Sequence, residues 1–373
     1  MTKVAADRNR NPLVSSTNKL KLAVFGLNVS GGCAMTSAEG TLKIEWDESV
    51  RLARAAEDAG FEAVIPVARW RGFGSKTNFN HRSFETLTWA AGLAAATQRI
   101  AIFATVHVPT VHPVRAAKEV ATIDHIAKGR FGLNLVAGWN EDEIRLFGAP
   151  QREHDERYAF ADEWITLAKR LWTEGEFDFA GKFFTVPGAY SEPKPVQRPY
   201  PLLMNAGNSP AGRDFSARQA DLTFILGADL ETLAHTGAAV KRLARERYGR
   251  EIAVFTQAYV VCRETEAEAR KYCDYYIHEK GDWQAVRNIL DTLIPNSQSA
   301  LQEQFEAMAA NMIAGYGALP LVGTAEQVVE GMQVMAAAGL DGLTLCWVNY
   351  DEGIKQYQQE IRPLLIQSGL RDQ

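Results

Sequence analysis

The chain is poor in cysteine. Cys33, Cys262, Cys273 and Cys346 are scattered through 373 residues with no CxxC pair. That spacing argues against a disulfide framework and against a zinc site. Cys262 and Cys346 fall in apolar, strand-like runs and read as inert core residues. Long hydrophobic runs are missing too: nothing approaches the roughly 18 consecutive apolar residues of a membrane span. Positive charge is not in excess. The net charge is −5 and the pI about 5.9, a poor match to a nucleic acid or an acidic membrane surface. There is no HExxH, and His107 and His112 are flanked by Pro109 and Pro113, so no helix presents them together and no metal site is expected. No GxSxG elbow is present for a Ser-His-Asp hydrolase. The N-terminal MTKVAADRNRNPLVSSTNK is polar and has no hydrophobic signal core. Residues 1–19 are therefore expected to form a disordered tail on a cytoplasmic protein.

What is present is alternation. Strand candidates are Leu20–Leu27, Ala63–Val67, Ile100–Val106, Phe131–Val136, Pro201–Ala206, Leu222–Ile225, Ile252–Cys262 and Gly342–Trp347. Between them lie amphipathic stretches: Asp47–Ala59, Ser83–Thr97, Val114–Ala127, Arg157–Trp172, Leu230–Tyr248 and Ala325–Ala338. Gly60, Gly129 and Gly339 are placed as helix C-caps and Thr324 as an N-cap. Eight βα units predict an α/β fold of the (β/α)8 TIM-barrel type. A doubly wound open sheet would want a glycine-rich dinucleotide loop after the first strand, and NVSGG is not GxGxxG. The expected organisation is one barrel domain over 20–373 with insertions near 29–45, 178–200 and 279–319. The second insertion contains a hairpin around Gly181-Lys182, and all three are placed at the C-terminal mouth.

Some residues are unusual enough to carry chemistry. Asn134 sits inside the apolar run Phe131–Val136, where an unpaired amide costs on the order of 1–3 kcal/mol. Alternation places it with Gly132 and Val136, away from Phe131, Leu133 and Leu135. Thr105, on the face of Phe103 and Ala101, points to the same mouth, above an apolar floor of Ile65 and Val67. Two directed neutral groups over an apolar floor suit a site that handles dioxygen on a flavin. The plainer alternative for Asn134 is a core amide bonded to a neighbouring strand. In PLLMNAGNSPAG, Ser209 precedes Pro210 at a helix start, a phosphate site or an ordinary N-cap. Arg157-Tyr158 pairs a charge with a hydroxyl that together can hold a phosphate; the plainer reading is a solvated helix face. The loop Ala68–Gly74, ARWRGFG, supplies arginines and flexible glycines, or is simply a surface loop.

Taken together, ATIDHIAKGRFGLNLVAGW, HDERY and RGFGSKTNF resemble the bacterial luciferase-like flavin monooxygenases, from Leu20 to the last helix and most strongly from Phe61 to Tyr158. The resemblance implies a TIM barrel that binds FMN at its C-terminal mouth, with reduced FMN supplied by a separate flavin reductase and O2 as co-substrate. By matching positions, it implies FMN contacts at Ala68, Arg69, Asn134, Glu143, Arg157, Tyr158 and Ser209. Thr105 and Asn134 would flank the ring where oxygen reacts, and Glu143 would accept from the ribityl chain. His107 and Trp139, with Ile65 and Val67, would line the substrate pocket.

Within the family, RGFGSKTNF, Thr105 and Asn134 look like pyrimidine monooxygenases that open the uracil ring. Arg69 stands where those enzymes have Lys. NVSGG and HDERY look like dimethyl-sulfone and alkanesulfonate monooxygenases. The expected function is thus oxygenation of a small polar molecule, a pyrimidine-type cyclic amide first and a sulfone or alkanesulfonate second. Other readings are a deazaflavin-dependent hydride-transfer enzyme on the same barrel and a flavin-binding protein without catalysis. A homo-oligomer is expected.

Overall fold

The computed structural model describes residues 8–227, 229–293 and 302–372. Residues 1–7 of the expected tail, and 294–301 within the expected 279–319 insertion, lie outside the described residues. The strands are β1 (Lys21–Phe25), β2 (Ala63–Ile65), β3 (Ala101–His107), β4 (Phe131–Val136), β5 (Phe177–Ala180), β6 (Thr185–Ala189), β7 (Leu202–Asn205), β8 (Leu222–Phe224), β9 (Ala253–Cys262), β10 (Leu319–Gly323) and β11 (Gly342–Cys346). Strands β5 and β6 form the antiparallel hairpin. The others lie in one sheet in the order β10-β9-β11-β1-β2-β3-β4-β7-β8, with a further β9–β8 pairing. This is the (β/α)8 barrel, with β10 as an addition. Every residue of β3 is buried, as in a parallel strand covered on both faces. The caps fall where composition places them. Gly60, Gly129 and Gly339 adopt φ of 85°, 86° and 90°, and Thr324 closes a capping box with Gln327.

Chain packing divides the protein into two compact units. The first comprises Met1–Ser16, Glu85–Phe224 and Ala239–Ala253. It holds β3, β4, β7 and β8, with β4 paired to β3 on one side and to β7 on the other. Buried Arg130 ties the start of β3 to the end of the helix Thr86–Ala96, donating to Ile100 O (2.5 Å), Ala94 O (3.0 Å) and Thr97 O (3.1 Å).

One expectation is corrected in this unit. Residues from 8 onward are not a disordered tail. Pro12–Ser15 is a short helix, Asn11 donates to Phe131 O (3.3 Å), and Arg8 pairs with Asp221 (3.0 Å). The 178–200 insertion packs along the helix His154–Thr173, with Lys182 paired to Glu156 in its first turn (3.1 Å). Its hairpin is held by Glu163, which accepts from the backbone N–H of Lys182, Phe183 and Phe184. Beyond it, Gln197 donates to Asp124 (2.7 Å) and to the carbonyl of Phe131, the first residue of β4 (2.7 Å).

Lys169 is half-buried in this unit. It donates to Gln219 O (3.0 Å) and Gln219 Oε1 (2.6 Å), and lies 5.0 Å from the centre of the Tyr200 ring. Burial, then nearby Arg250, pulls its pKa from 10.5 down to about 7 against the attraction of Asp221. Between those values the unfolded chain binds the extra proton, so stability through this group rises with pH across that window. Replacing it with Met is expected to stabilise the protein at pH 7 by about 1–3 kcal/mol, after allowing for two lost hydrogen bonds. The advantage should fade toward pH 10.5. Calorimetric melts of Lys169→Met and wild type across that range check it, and a pH-independent difference would refute it.

The second unit comprises Thr17–Phe84, Ile225–Ala238 and Val254–Gln373. It holds β1, β2, β9, β10 and β11. Strand β9 is long enough to pair β11 over Phe255–Tyr259 and β10 over Ala258–Cys262. Near the C-terminus, buried Arg371 donates to Glu62 Oε2 (3.0 Å) and Leu20 O (3.1 Å), fastening the end of the chain to β1. The 29–45 and 279–293 segments meet here: Thr36 bridges Gly281, and Asp282 N donates to Met35 O (2.8 Å).

Candidate functional site

In the first unit, Thr105 of β3 stands opposite Asn134 of β4, and Phe103 opposite Gly132. A Cβ on Gly132 would lie 2.3 Å from Phe103 Cζ, so the ring fills the space that glycine leaves. Phe103, Thr105, Gly132 and Asn134 therefore share a face, as strand alternation requires. Asn134 Nδ2 donates to Thr105 Oγ1 (3.3 Å). Both side chains are nearly inaccessible, at 6 % and 5 % exposure. Asn134 Oδ1 is buried without a hydrogen-bond partner among the described residues. So the neighbouring strand satisfies half of this amide. The other half is an acceptor awaiting a donor, and a buried acceptor left that way costs about 1–3 kcal/mol.

His107 ends β3 on the same face, two residues beyond Thr105. Its Nδ1 lies 3.9 Å from Glu143 Oε2, and both side chains are buried. Glu143 sits in the first turn of the helix Glu141–Leu146, whose cap, Asn140, accepts from Glu143 N (3.4 Å). The turn before it, with half-buried Trp139, is fixed by Gly138 at φ 92°, where a Cβ would press on Pro109 and Ile144.

The Arg157, Tyr158 and Ser209 trio also meets. Ser209 caps the helix Pro210–Gln219, accepting from Gly212 N (3.1 Å). Burial raises the Tyr158 phenol above the ordinary value, partly offset by Ser209 and Arg157 nearby. A Cβ on Gly207 or Gly212 would lie 2.6 Å from the Tyr158 hydroxyl, so only glycine leaves the cradle open. Arg157 donates to Gly138 O (3.0 Å), and its Nε is buried with no hydrogen-bond partner among the described residues. A helix N-terminus, a guanidinium and two hydroxyls form an anion cradle. Behind it stands Asn205, an amide at the end of β7. It donates to Leu135 O (2.6 Å) and accepts from Gly207 N (2.9 Å) and Ser216 Oγ (2.8 Å), pinning the loop between β7 and the helix.

Ile65, Val67, Ala68 and Arg69 belong to the second unit. Ile65, Ala68 and Arg69 are buried, Val67 half-buried. The Arg69 guanidinium lies 4.9 Å from the centre of the Phe73 ring. Asn28 of NVSGG clamps this stretch. Its Nδ2 donates to Val67 O (2.8 Å) and its Oδ1 accepts from Val67 N (2.9 Å). Among the described residues no cluster of three or more His, Cys, Asp or Glu is arranged to hold a metal ion, and no helix is long and apolar enough to cross a membrane.

The family model of the luciferase-like monooxygenases matches residues 21–342. The chain belongs to that family. Among its relatives, an FMNH2-dependent dimethylsulfone monooxygenase of Pseudomonas putida is 31% identical over 353 residues, 93% of this chain and 95% of the relative. The pyrimidine monooxygenase RutA of Caulobacter segnis is 33% identical over 324 residues, 84% of this chain and 90% of the relative. Among solved structures, a riboflavin lyase with modified FMN and riboflavin superposes with a TM-score of 0.84 at 22% identity, covering 94% of this chain and 92% of that one. DmoA from Hyphomicrobium sulfonivorans gives 0.84 at 18% identity, with 95% and 89% covered. At those identities the likeness is one of fold. For a luciferase-like monooxygenase, the open acceptor on Asn134 and the open anion cradle are the features that fit a flavin mononucleotide: a ring with N–H donors and a terminal phosphate.

Proposed function

We propose that this protein is a two-component monooxygenase that takes reduced FMN from a separate flavin reductase and oxygenates a small polar substrate with dioxygen. The observation that carries this is the unsatisfied Oδ1 of Asn134, held beside Thr105. Bound reduced FMN supplies the electrons that activate dioxygen. The chain's part is to hold and to exclude. Arg157, Tyr158 and the Ser209 helix start take the phosphate. Asn134 and Thr105 orient the ring face. Glu143 completes the flavin contacts of this unit, and His107 and Trp139 line the substrate side and keep water out.

A pyrimidine-type cyclic amide is the first substrate reading, carried by the Thr105–Asn134 pair. A sulfone or alkanesulfonate is the second, favoured by NVSGG and HDERY together with the dimethylsulfone relative. We place the protein in the cytoplasm as a homo-oligomer. The test mixes purified protein, reduced FMN and dioxygen with uracil or dimethyl sulfone and follows products by mass spectrometry. Oxygenated, ring-opened product from uracil is the expected result. Product from the sulfone alone moves the reading to the second branch. Preferential retention of deazaflavin with no oxygen consumption replaces it by hydride transfer.

A further inference from the structure

We infer that Met204 is a modification site, whose thioether is oxidised to the sulfoxide when reduced FMN and dioxygen meet beside Asn134 with no substrate bound. The inference rests on the reading of the Asn134 face as the place of oxygen chemistry, and it names where that chemistry goes when nothing else consumes it. Strand register carries it. Thr105 of β3 stands opposite Asn134 of β4, and Asn134 stands opposite Met204 of β7. Neighbouring strands lie about 4.8 Å apart, and residues paired across them share a face. Met204 therefore flanks Asn134 on the side away from Thr105. The next residue fixes the direction. Asn205 turns toward the helix Pro210–Gln219, where its Oδ1 accepts from Ser216 Oγ (2.8 Å). Alternation then turns Met204 the other way, into the barrel with Asn134. Met204 is 1 % exposed, and among the described residues of the first unit it is the one sulfur-containing side chain. On its far side it pairs with Leu222, an aliphatic chain that peroxide does not attack.

A thioether is a soft, polarizable nucleophile and has no proton to lose, so its oxidation asks no acid or base of the chain. With no substrate to take the oxygen, the two electrons of reduced FMN carry dioxygen to hydrogen peroxide. A lone pair of Met204 Sδ attacks one peroxide oxygen. The S–O bond forms, the O–O bond breaks, and the other oxygen leaves as water with both protons. Sulfur is oxidised by two electrons and the peroxide is reduced by two. The product is a polar, chiral group where the fold holds an apolar one. It sets a second buried polar oxygen beside the Asn134 amide, at a cost in the packing of the ring face. Bound substrate suppresses the reaction by consuming the oxygen first.

The test charges the protein repeatedly with reduced FMN in the absence of air, mixes it with oxygenated buffer without substrate, and weighs its peptides by mass spectrometry. Catalase is present throughout to destroy peroxide that escapes. The Met204 peptide is expected to gain one oxygen atom at least about tenfold faster than those of Met35 and Met332, equally buried but in the second unit, and of exposed Met308. A second arm leaves out flavin and catalase and adds hydrogen peroxide. The order should reverse, with Met308, at 39 % exposure, oxidised at least about tenfold faster than Met204. After cycling, the dissociation constant of reduced FMN should rise at least about threefold in wild type and stay unchanged in Met204→Leu, which keeps the volume and removes the sulfur. An unmodified Met204 in cycled protein that retains reduced FMN on ultrafiltration overturns the inference and leaves the functional reading standing. Oxidation of Met204 that catalase abolishes, or that added peroxide drives as fast as at Met308, also overturns it, because the oxygen then comes from solution. Protein that does not retain reduced FMN sinks the functional reading and the inference together.

Discussion

Asn134→Ala is expected to bind reduced FMN within a few-fold of wild type yet lose about 100-fold or more in oxygenated product per flavin. The separation follows from geometry. The anion cradle is built from Arg157, Tyr158 and Ser209, on elements distinct from β4, so removing one amide from the ring face leaves the phosphate anchored. The amide is a directed group at a nearly inaccessible position. Removal of one such group from a water-poor site costs about 10²–10³ in rate when it meets charge that develops during reaction. Thr105→Val keeps the shape and deletes the hydroxyl that accepts from Asn134 Nδ2. The amide then loses its orientation, and a loss of about tenfold is expected. Because the two act as one unit, the double variant should be little worse than Asn134→Ala alone. Rapid mixing of the enzyme–reduced flavin complex with oxygenated buffer and substrate, with product quantified after one turnover, measures all three. Full product from both single variants would remove Thr105 and Asn134 from the mechanism while leaving the fold untouched.

Those residues were visible in the chain because a polar side chain inside an apolar parallel strand is an anomaly that burial must explain. The strands were visible for the same reason in reverse: buried parallel strands are continuous apolar runs, so β3, β4 and β9 stand out. Strand β10 does not. It is five residues long and contains Pro320, which lacks an N–H and reads as a break. It is tolerated because β10 ends the strand order, with β9 as its one sheet neighbour in the described structure. The hairpin around Gly181-Lys182 was legible from its turn, but its packing on the helix His154–Thr173 through Glu163 was not, since no local pattern encodes it. The approach of His107 to Glu143 was also hidden. Each residue could be assigned a neighbour by family likeness, yet their contact is set by the turn at Gly138, which no periodicity encodes. Asn28 and Asn205 gave only a weak signal, an amide at a strand's end. Asp282 gave none, being one acidic residue in a long connection.

Asp282→Ala is expected to destabilise the protein by about 2–4 kcal/mol at neutral pH, an effect large for one residue outside any strand or helix. The carboxylate is buried. It accepts from Ser75 Oγ (2.6 Å), Thr77 N (2.7 Å), Thr77 Oγ1 (2.7 Å) and Ala285 N (3.1 Å). The loop it holds is strained: Ser75, Asn78 and Asn80 all have positive φ, at 69°, 42° and 58°, which costs non-glycine residues on the order of 1 kcal/mol each. Asn288 helps by donating to Phe73 O (2.6 Å), and Asp282 N reaches Met35 O, so one residue fastens the loop after β2 to both long segments of its unit. Without the carboxylate, four donors lose a charged acceptor and the strain has little to oppose its release.

The pH dependence has a definite sign. Burial alone would raise the Asp282 pKa, but the hydrogen bonds from Ser75 and Thr77 outweigh it and hold the carboxyl below its ordinary 3.8. Its contribution is therefore present above that value and is lost as the pH falls through the lowered one. Denaturant melts of wild type and Asp282→Ala should differ fully at pH 7 and converge in strong acid. Hydrogen exchange should show the amides of residues 73–81 opening first in the variant, while those of β1 and β11 stay protected. Equal stability at pH 7, or unchanged exchange across that loop, would mean that the loop is held by its own turns and that Asp282 is not its anchor.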